Sequence, residues 1–139
     1  MAKVLIVYVT TTGNTEKMAQ AIEEGAKGAG ADVTCKTVGD ASVAELADYD
    51  VVAFGSPAMG AEVLEEAEME PFFSDAEGKI SGKKVAVFGS YDWGDGEWLR
   101  TWEDRCKAAG AEVVASVKAH LEPDDDAIAE CKAFGAKLA

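Results

Sequence analysis

At 139 residues the chain is long enough for one domain, and its formal net charge of −13 argues strongly against nucleic acid or an anionic membrane surface as a partner. It has no apolar run near the roughly 20 residues of a transmembrane helix and no leader sequence, so we expect a soluble, cytoplasmic protein folded as a single domain over residues 1–139. Three scattered cysteines predict reduced thiols, and a lone histidine, His120, argues against a metal site or a Ser/His/Asp triad.

Short apolar runs rich in β-branched residues alternate along the chain with segments of helical periodicity. The predicted strands are 4–9, 33–38, 51–55, 85–89 and 113–118, and the predicted helices are 15–29, a short one near 43–47, 68–77, 97–109 and 125–138. Strict alternation, with strands buried on both faces, predicts a doubly wound parallel α/β sheet. Ligands bind such sheets at the carboxyl ends of the strands where the strand order reverses. The loops that follow four of the strands converge there if the order is 2-1-3-4-5.

The loop after the first predicted strand, residues 10–15, consists of four threonines, a glycine and an asparagine. Hydroxyls and free amides at a helix N-terminus bind a phosphate dianion. No Lys or Arg occurs between Lys3 and Lys17, which favours a permanently bound phosphate ester over a nucleotide that is hydrolysed. The alternative is an ordinary Thr or Asn N-cap. The P-loop motif and the GxGxxG motif are both absent, which argues against an NTPase or a dinucleotide site.

The loops after the third and fourth predicted strands carry groups suited to a flat ring. In residues 56–62, Met59 offers a polarizable surface and Glu62 an acceptor for a ring N–H, although a plain turn before a surface helix is the alternative. In residues 90–96, Tyr91 and Trp93 beside glycines form a stacking platform. Trp98 and Trp102, spaced i, i+4 on the next helix, are predicted to pack in the core.

These motifs together resemble the short-chain bacterial flavodoxins over essentially the whole chain. The resemblance rests on residues 10–15, on Ala58-Met59-Gly60 with 62–65, on 88–91 leading into 93–96, and on 122–124. It implies a flavodoxin-like fold: a doubly wound five-stranded parallel sheet of order 2-1-3-4-5 with helices on both faces. It also implies that the cofactor is FMN, that no metal is used, and that the protein is an electron carrier and not an enzyme.

The resemblance further implies a role for each loop. Thr10, Thr12, Asn14 and Thr15 would hold the FMN phosphate, Met59 and Trp93 would flank the isoalloxazine ring, and Glu62 would accept from flavin N3–H. The amides of 90–94 would serve the pyrimidine edge, and Glu122 would sit near the ring. On reduction, the 60–61 peptide would turn over and offer its carbonyl to flavin N5–H. The predicted cofactor-binding residues are Thr10, Thr11, Thr12, Gly13, Asn14, Thr15, Ser56, Pro57, Ala58, Met59, Gly60, Ala61, Glu62, Ser90, Tyr91, Asp92, Trp93, Gly94 and Glu122.

The predicted function is low-potential one-electron transfer by tightly but non-covalently bound FMN, mainly between semiquinone and hydroquinone. Ala61 stands where the family usually has Asp, Asn or Gly, and it is expected to weaken semiquinone stabilisation because a type II turn needs a positive φ there. Carboxylates around the ring, including Asp92 and Asp95, are expected to lower the second potential. The alternatives are a small FMN-dependent NAD(P)H or quinone reductase and a flavodoxin-like activator of a partner metalloenzyme.

Acidic side chains are unevenly distributed, with clusters in 62–75, 92–97 and 122–130. These clusters flank the predicted site, which suggests that an acidic face docks on basic patches of redox partner proteins. The alternative is that the charge serves solubility alone. We expect a monomer.

Overall fold

A parallel β-sheet lies at the centre of the molecule. The structure is a computed structural model that describes residues 2–9, 13–58, 65, 67–91, 96–120 and 122–139. Within these residues the strands are β1 (Lys3–Tyr8), β2 (Asp32–Thr37), β3 (Val51–Gly55), β4 (Lys84–Tyr91) and β5 (Glu112–His120). All neighbouring pairs are parallel and the order is β2-β1-β3-β4-β5. The predicted fold class and strand order are confirmed.

The connecting helices match the predicted positions to within two residues. They are α1 (Asn14–Gly28), α2 (Met69–Ala76), α3 (Glu97–Ala108) and α4 (Asp125–Leu138), with 3₁₀ turns at Val38–Asp40, Val43–Asp48 and Glu77–Lys79. The short predicted helix near 43–47 is one of these 3₁₀ turns, begun by a capping box between Ser42 and Glu45. None of the helices in the described part of the chain is long and apolar enough to cross a membrane.

Successive side chains of the central strands enter two separate cores. In β1, Leu5 and Val7 pack on one side with α2 and α3, while Val4 and Ile6 pack on the other with α1 and α4. This period of two is expected for a sheet covered on both faces. The edge strands β2 and β5 are partly exposed, because each lacks a neighbour on one side, so burial on both faces holds only for the central strands.

The two covered faces are packed in different ways. On one face α1 and α4 touch backbone to backbone: a Cβ on Gly25 would lie 2.0 Å from the Lys132 carbonyl oxygen, and a Cβ on Gly135 would lie 2.1 Å from that of Ile22. On the other face Trp98 and Trp102 are buried, at 1% and 0% exposure, which confirms their predicted core role. The free cysteines are Cys35, Cys106 and Cys131, and burial raises the pKa of each thiol to about 12.

Candidate functional site

A glycine in a left-handed conformation immediately precedes helix α1. Gly13 is the N-cap, with φ 90° and ψ −6°, and its carbonyl accepts from the Lys17 amide at 3.1 Å. A Cβ here would meet nothing within 4 Å, so the left-handed backbone and not lack of space calls for glycine. Because the N-cap residue has no side chain, a Thr or Asn N-cap does not account for this loop. The first-turn amides of a helix have no acceptor within the helix, and this end therefore suits an anion.

A buried pair of hydroxyls joins α1 to the end of β4. Thr15 Oγ1 and Ser90 Oγ are 3.0 Å apart, and the two residues are 1% and 5% exposed. The Ser90 carbonyl in turn accepts from the Ala58 amide at 2.9 Å. The first turn of α1, the loop after β3 and the end of β4 are thus connected by two hydrogen bonds, although they are far apart in sequence.

The loop after β3 returns to its own starting point. Ser56 is fully buried, and its hydroxyl donates to the Pro57 carbonyl at 2.9 Å while accepting from the Glu65 amide at 3.0 Å. The Ser56 amide continues the sheet by donating to the Phe88 carbonyl at 3.1 Å. The hydroxyl and the amide of Ser56 thus both bind other protein atoms. Ser56 therefore stabilises the loop after β3.

Glu65, which the sequence placed in a surface acidic cluster, has a buried structural role. The residue is 8% exposed, and its carboxylate accepts from the amides of Ala67 at 2.8 Å, Glu68 at 2.7 Å and Met69 at 3.0 Å. Burial alone would raise the pKa of Glu65, but these three donors hold it below its usual range. The carboxylate therefore caps the N-terminus of α2, where it binds the two residues before the helix and Met69, the first residue of the helix. Sequence analysis missed this because nothing local distinguishes Glu65 from its acidic neighbours.

Glycine allows β4 to pass close to the β3 loop. A Cβ on Gly89 would lie 1.9 Å from the Ser56 carbonyl oxygen and 3.1 Å from the Trp98 ring. Beyond Gly89, the Tyr91 ring lies 5.6 Å from that of Trp98 and 5.0 Å from that of His120, centroid to centroid. An aromatic group therefore stands at the carboxyl end of β4, where a stacking platform was predicted.

Glu122 forms an ion pair that was not predicted. Its carboxylate binds the Lys17 ammonium of α1, and the two side chains are 69% and 51% exposed. A hydrogen bond from Lys17, reinforced by its charge, lowers the pKa of Glu122. The pair joins the first part of α1 to the segment between β5 and α4, two regions that are 105 positions apart.

The described members of the predicted site lie at one edge of the sheet, at the carboxyl ends of the strands. These are Gly13, Asn14, Thr15, Ser56, Pro57, Ala58, Ser90, Tyr91 and Glu122. Their contacts to a cofactor stay predictions. The remaining predicted residues lie outside the described part of the chain: Thr10, Thr11, Thr12, Met59, Gly60, Ala61, Glu62, Asp92, Trp93 and Gly94.

The described residues fit FMN by their chemistry. The N-terminus of α1 at Gly13, beside the buried hydroxyls of Thr15 and Ser90, would hold the phosphate by neutral donors. The aromatic group around Tyr91 lies at the same sheet edge, where a flat ring would be bound.

Comparison with known proteins agrees with this geometry. A family model described as flavodoxin matches residues 6–135. The chain is 48% identical over 134 residues to a flavodoxin of Clostridium beijerinckii, covering 96% of this chain and 97% of the relative. It is 47% identical over 130 residues to a flavodoxin of Megasphaera elsdenii, with coverages of 94% and 93%.

Solved structures give the same result. The solution structure of two-electron reduced Megasphaera elsdenii flavodoxin matches with a TM-score of 0.91 at 46% identity, covering 97% of each chain. A flavodoxin from the domain Archaea matches with a TM-score of 0.85 at 29% identity, covering 99% of this chain and 96% of the other. The chain therefore belongs to the flavodoxin family, and it is an FMN-binding electron carrier and not an enzyme.

Proposed function

We propose that this flavodoxin is a low-potential one-electron carrier that binds FMN tightly without a covalent bond and works mainly between semiquinone and hydroquinone. Bound FMN supplies two successive one-electron steps. The observation that carries the proposal is the charge of the loops at the carboxyl ends of the strands. The loops after β3, β4 and β5 contain acidic residues, and none of the loops after β1, β3, β4 and β5 contains Lys, Arg or His. A site of this charge disfavours the addition of negative charge on reduction.

The nearest cation to the phosphate loop in sequence does not change this balance. Lys17 is bound to Glu122, so the two charges largely cancel. Lys118 is a further cation near this edge, on β5, with its Nζ 2.7 Å from where a Cβ on Gly96 would stand. It is outnumbered by the carboxylates of the neighbouring loops, which include Asp92 and Asp95.

The size of the effect follows from Coulomb's law. A carboxylate ~10 Å from the ring, at an effective dielectric constant of ~20–40, disfavours an added negative charge by about 1–1.5 kcal/mol before screening by salt. Since 59 mV of a one-electron couple corresponds to a factor of ten, several such groups would lower the second potential by ~100–200 mV.

Potentiometric titration of the FMN-loaded protein tests the proposal. The lower one-electron potential should fall below that of free FMN in the same buffer, and Asp92→Asn and Asp95→Asn should each raise it. The matched control is Asp32→Asn, because Asp32 begins β2 at the opposite edge of the sheet. A wild-type lower potential at or above that of free FMN, or equal shifts in all three variants, would contradict the proposal.

We also propose that redox partners dock on the site edge through its negative charge. Helices α1, α3 and α4 begin at this edge with acidic residues and end at the opposite edge with basic ones; the basic residues of their last turns are Lys27, Arg105, Lys107 and Lys137. The docking charge is smaller than the sequence suggests, because Glu65 is buried and Glu70 is bound to Arg105 at 2.7 Å.

The docking proposal is tested by electron transfer to a basic acceptor protein at increasing ionic strength. The second-order rate constant should fall steeply with salt. A rate that does not change with salt would show that the acidic surface serves solubility alone. We further propose that the chain is a single-domain cytoplasmic monomer, and light scattering after size-exclusion chromatography tests the oligomeric state.

A further inference from the structure

We propose that Glu65 is a positioning residue for the flavin loop: with Ser56 it holds both ends of segment 57–64 and thereby sets FMN affinity and the one-electron potentials. The proposal rests on the proposed function, because it affects redox behaviour only if this segment contacts FMN. It concerns a residue outside the predicted set of cofactor contacts.

The two residues that flank segment 57–64 are hydrogen-bonded to each other. The Glu65 amide donates to Ser56 Oγ at 3.0 Å, across nine positions of the chain. The same hydroxyl donates to the Pro57 carbonyl, and Ser56 is fully buried, so the bond is protected from water. The start of the segment is also tied to the sheet, because the Ala58 amide donates to the Ser90 carbonyl.

The far end of the segment is attached to α2. The same Glu65 whose amide closes the segment places its carboxylate on the amides of 67–69. Hydrogen bonds to a charged acceptor contribute more than neutral ones, and a carboxylate at a helix N-terminus also interacts favourably with the helix dipole. One residue therefore joins the loop to the first turn of the helix.

Helix α2 is in turn fixed to the core and to α3. Arg105 of α3 donates to Glu70 at 2.7 and 3.1 Å and to Glu77 at 2.8 and 3.3 Å, and its guanidinium lies 4.9 Å from the Phe73 ring centre. Phe73 and Met69 are fully buried. Because α2 is held between the core and α3, Glu65 attaches the segment to a body that does not shift easily.

Replacing the Glu65 carboxylate by an amide tests whether Glu65 positions the segment or only caps α2. In Glu65→Gln only one side-chain oxygen accepts, and the NH₂ group faces backbone N–H donors with nothing to offer them. With these bonds weakened, Glu65 is no longer fixed to α2, and ordering it again on FMN binding costs binding energy. The matched control is Glu68→Gln. Glu68 lies three positions after Glu65 and its side chain is exposed, so the variant removes the same charge without removing a buried carboxylate.

The experiment measures FMN affinity, both one-electron potentials, and hydrogen exchange of amides 67–69 in the apoprotein. Glu65→Gln should weaken FMN binding by about tenfold, shift the potentials more than the control does, and speed exchange at 67–69. The control should leave all three close to wild type apart from a small charge effect on the potentials.

The proposal is overturned if exchange at 67–69 speeds up while affinity and potentials match those of Glu68→Gln, because Glu65 would then only cap α2. Unchanged exchange overturns it as well. Should Glu65→Gln fail to fold, Ser56→Ala breaks the closure alone and should weaken FMN binding in the same direction. Failure of the proposed function is distinct, since it shows in the wild-type potentials and needs no variant.

Discussion

The site contains two junctions, one between a loop and a helix and one between a strand and a loop, that are built in different ways. The α1 junction, Gly13–Thr15, is shaped mainly by backbone: a left-handed glycine followed at once by a helix. The β3 junction, formed by 56–58 with Glu65, is shaped by side chains, a buried hydroxyl and a buried carboxylate nine positions away. The backbone turn of the first is formed by neighbours in sequence, although Thr15 also bonds Ser90 of β4. The second exists only when α2 is in place. Backbone strain should therefore disrupt the first junction, and loss of polar partners the second.

The largest effect is expected where β4 passes the β3 junction. Gly89→Ala would place a Cβ 1.9 Å from the Ser56 carbonyl oxygen, a backbone atom that does not move aside without shifting the strand. Overpacking of this kind lowers the free energy of unfolding by about 1–3 kcal/mol or more. Urea denaturation measures it, with Gly78→Ala as the control, since that position has open space. Equal midpoints for the two variants would contradict the close approach.

The α1 junction is tested by Gly13→Ala. No atom would clash with the new Cβ, so any loss is due to the positive φ, which costs a non-glycine residue about 1–2 kcal/mol. The control is Gly28→Ala in the last turn of α1, which also has open space and should be neutral or stabilising by about 0.5–1 kcal/mol. Thermal unfolding of the apoprotein compares the two variants. Destabilisation of the Gly28→Ala control would contradict the positive φ at Gly13 as the cause of the loss.

The hydroxyl pair that connects α1 to β4 should behave as a coupled unit. Thr15→Val leaves the buried Ser90 hydroxyl without this partner and should cost about 0.5–1.5 kcal/mol of stability, as should Ser90→Ala. The double variant should cost less than the sum of the two, because no buried hydroxyl is then left unpaired. Additive losses in urea denaturation would show that the two groups do not interact.

The carboxylate of the β3 junction should make stability depend on acid. Three amide donors hold the pKa of Glu65 below its usual range, so its contribution is complete above the unfolded-state pKa of about 4.3 and is lost as pH falls through the lower folded-state value. The difference in unfolding free energy between wild type and Glu65→Gln should be constant from neutral pH to about 5 and shrink below about 4. A constant difference throughout would contradict the lowered pKa.

The smallest effect is expected at the exposed ion pair beside the α1 junction. Glu122→Gln removes the partner of Lys17, but both side chains are largely in solvent, and such pairs add little to stability. The thermal midpoint should not change. Only the lower redox potential should rise, by on the order of 10 mV, because a negative charge has been removed near the site. A clear loss of stability would show that the pair holds α1 in position.

Much of the fold was predictable because it depends on patterns within short segments. The alternation of apolar runs and amphipathic helices specified the elements of the sheet, and the stripe of Met18, Ala19, Ile22 and Ala26 is fully buried as its spacing requires. The resemblance to flavodoxins supplied the strand order. The start of α1 was predicted to within one residue, at Thr15 against Asn14. The left-handed N-cap at Gly13 was not predicted, because glycine adopts other backbone angles as readily.

The acidic residues were less predictable. The sequence alone determined the sheet, the helices, the start of α1 and the absence of basic residues from the loops at the carboxyl ends of the strands. Only the tertiary structure decided that the buried Glu65 carboxylate caps α2, that Glu70 forms an ion pair with Arg105, and that Glu122 forms an ion pair with Lys17. The physical reason is that a strand or a glycine turn depends on adjacent residues, whereas the role of a carboxylate depends on which donors folding brings to it from elsewhere in the chain.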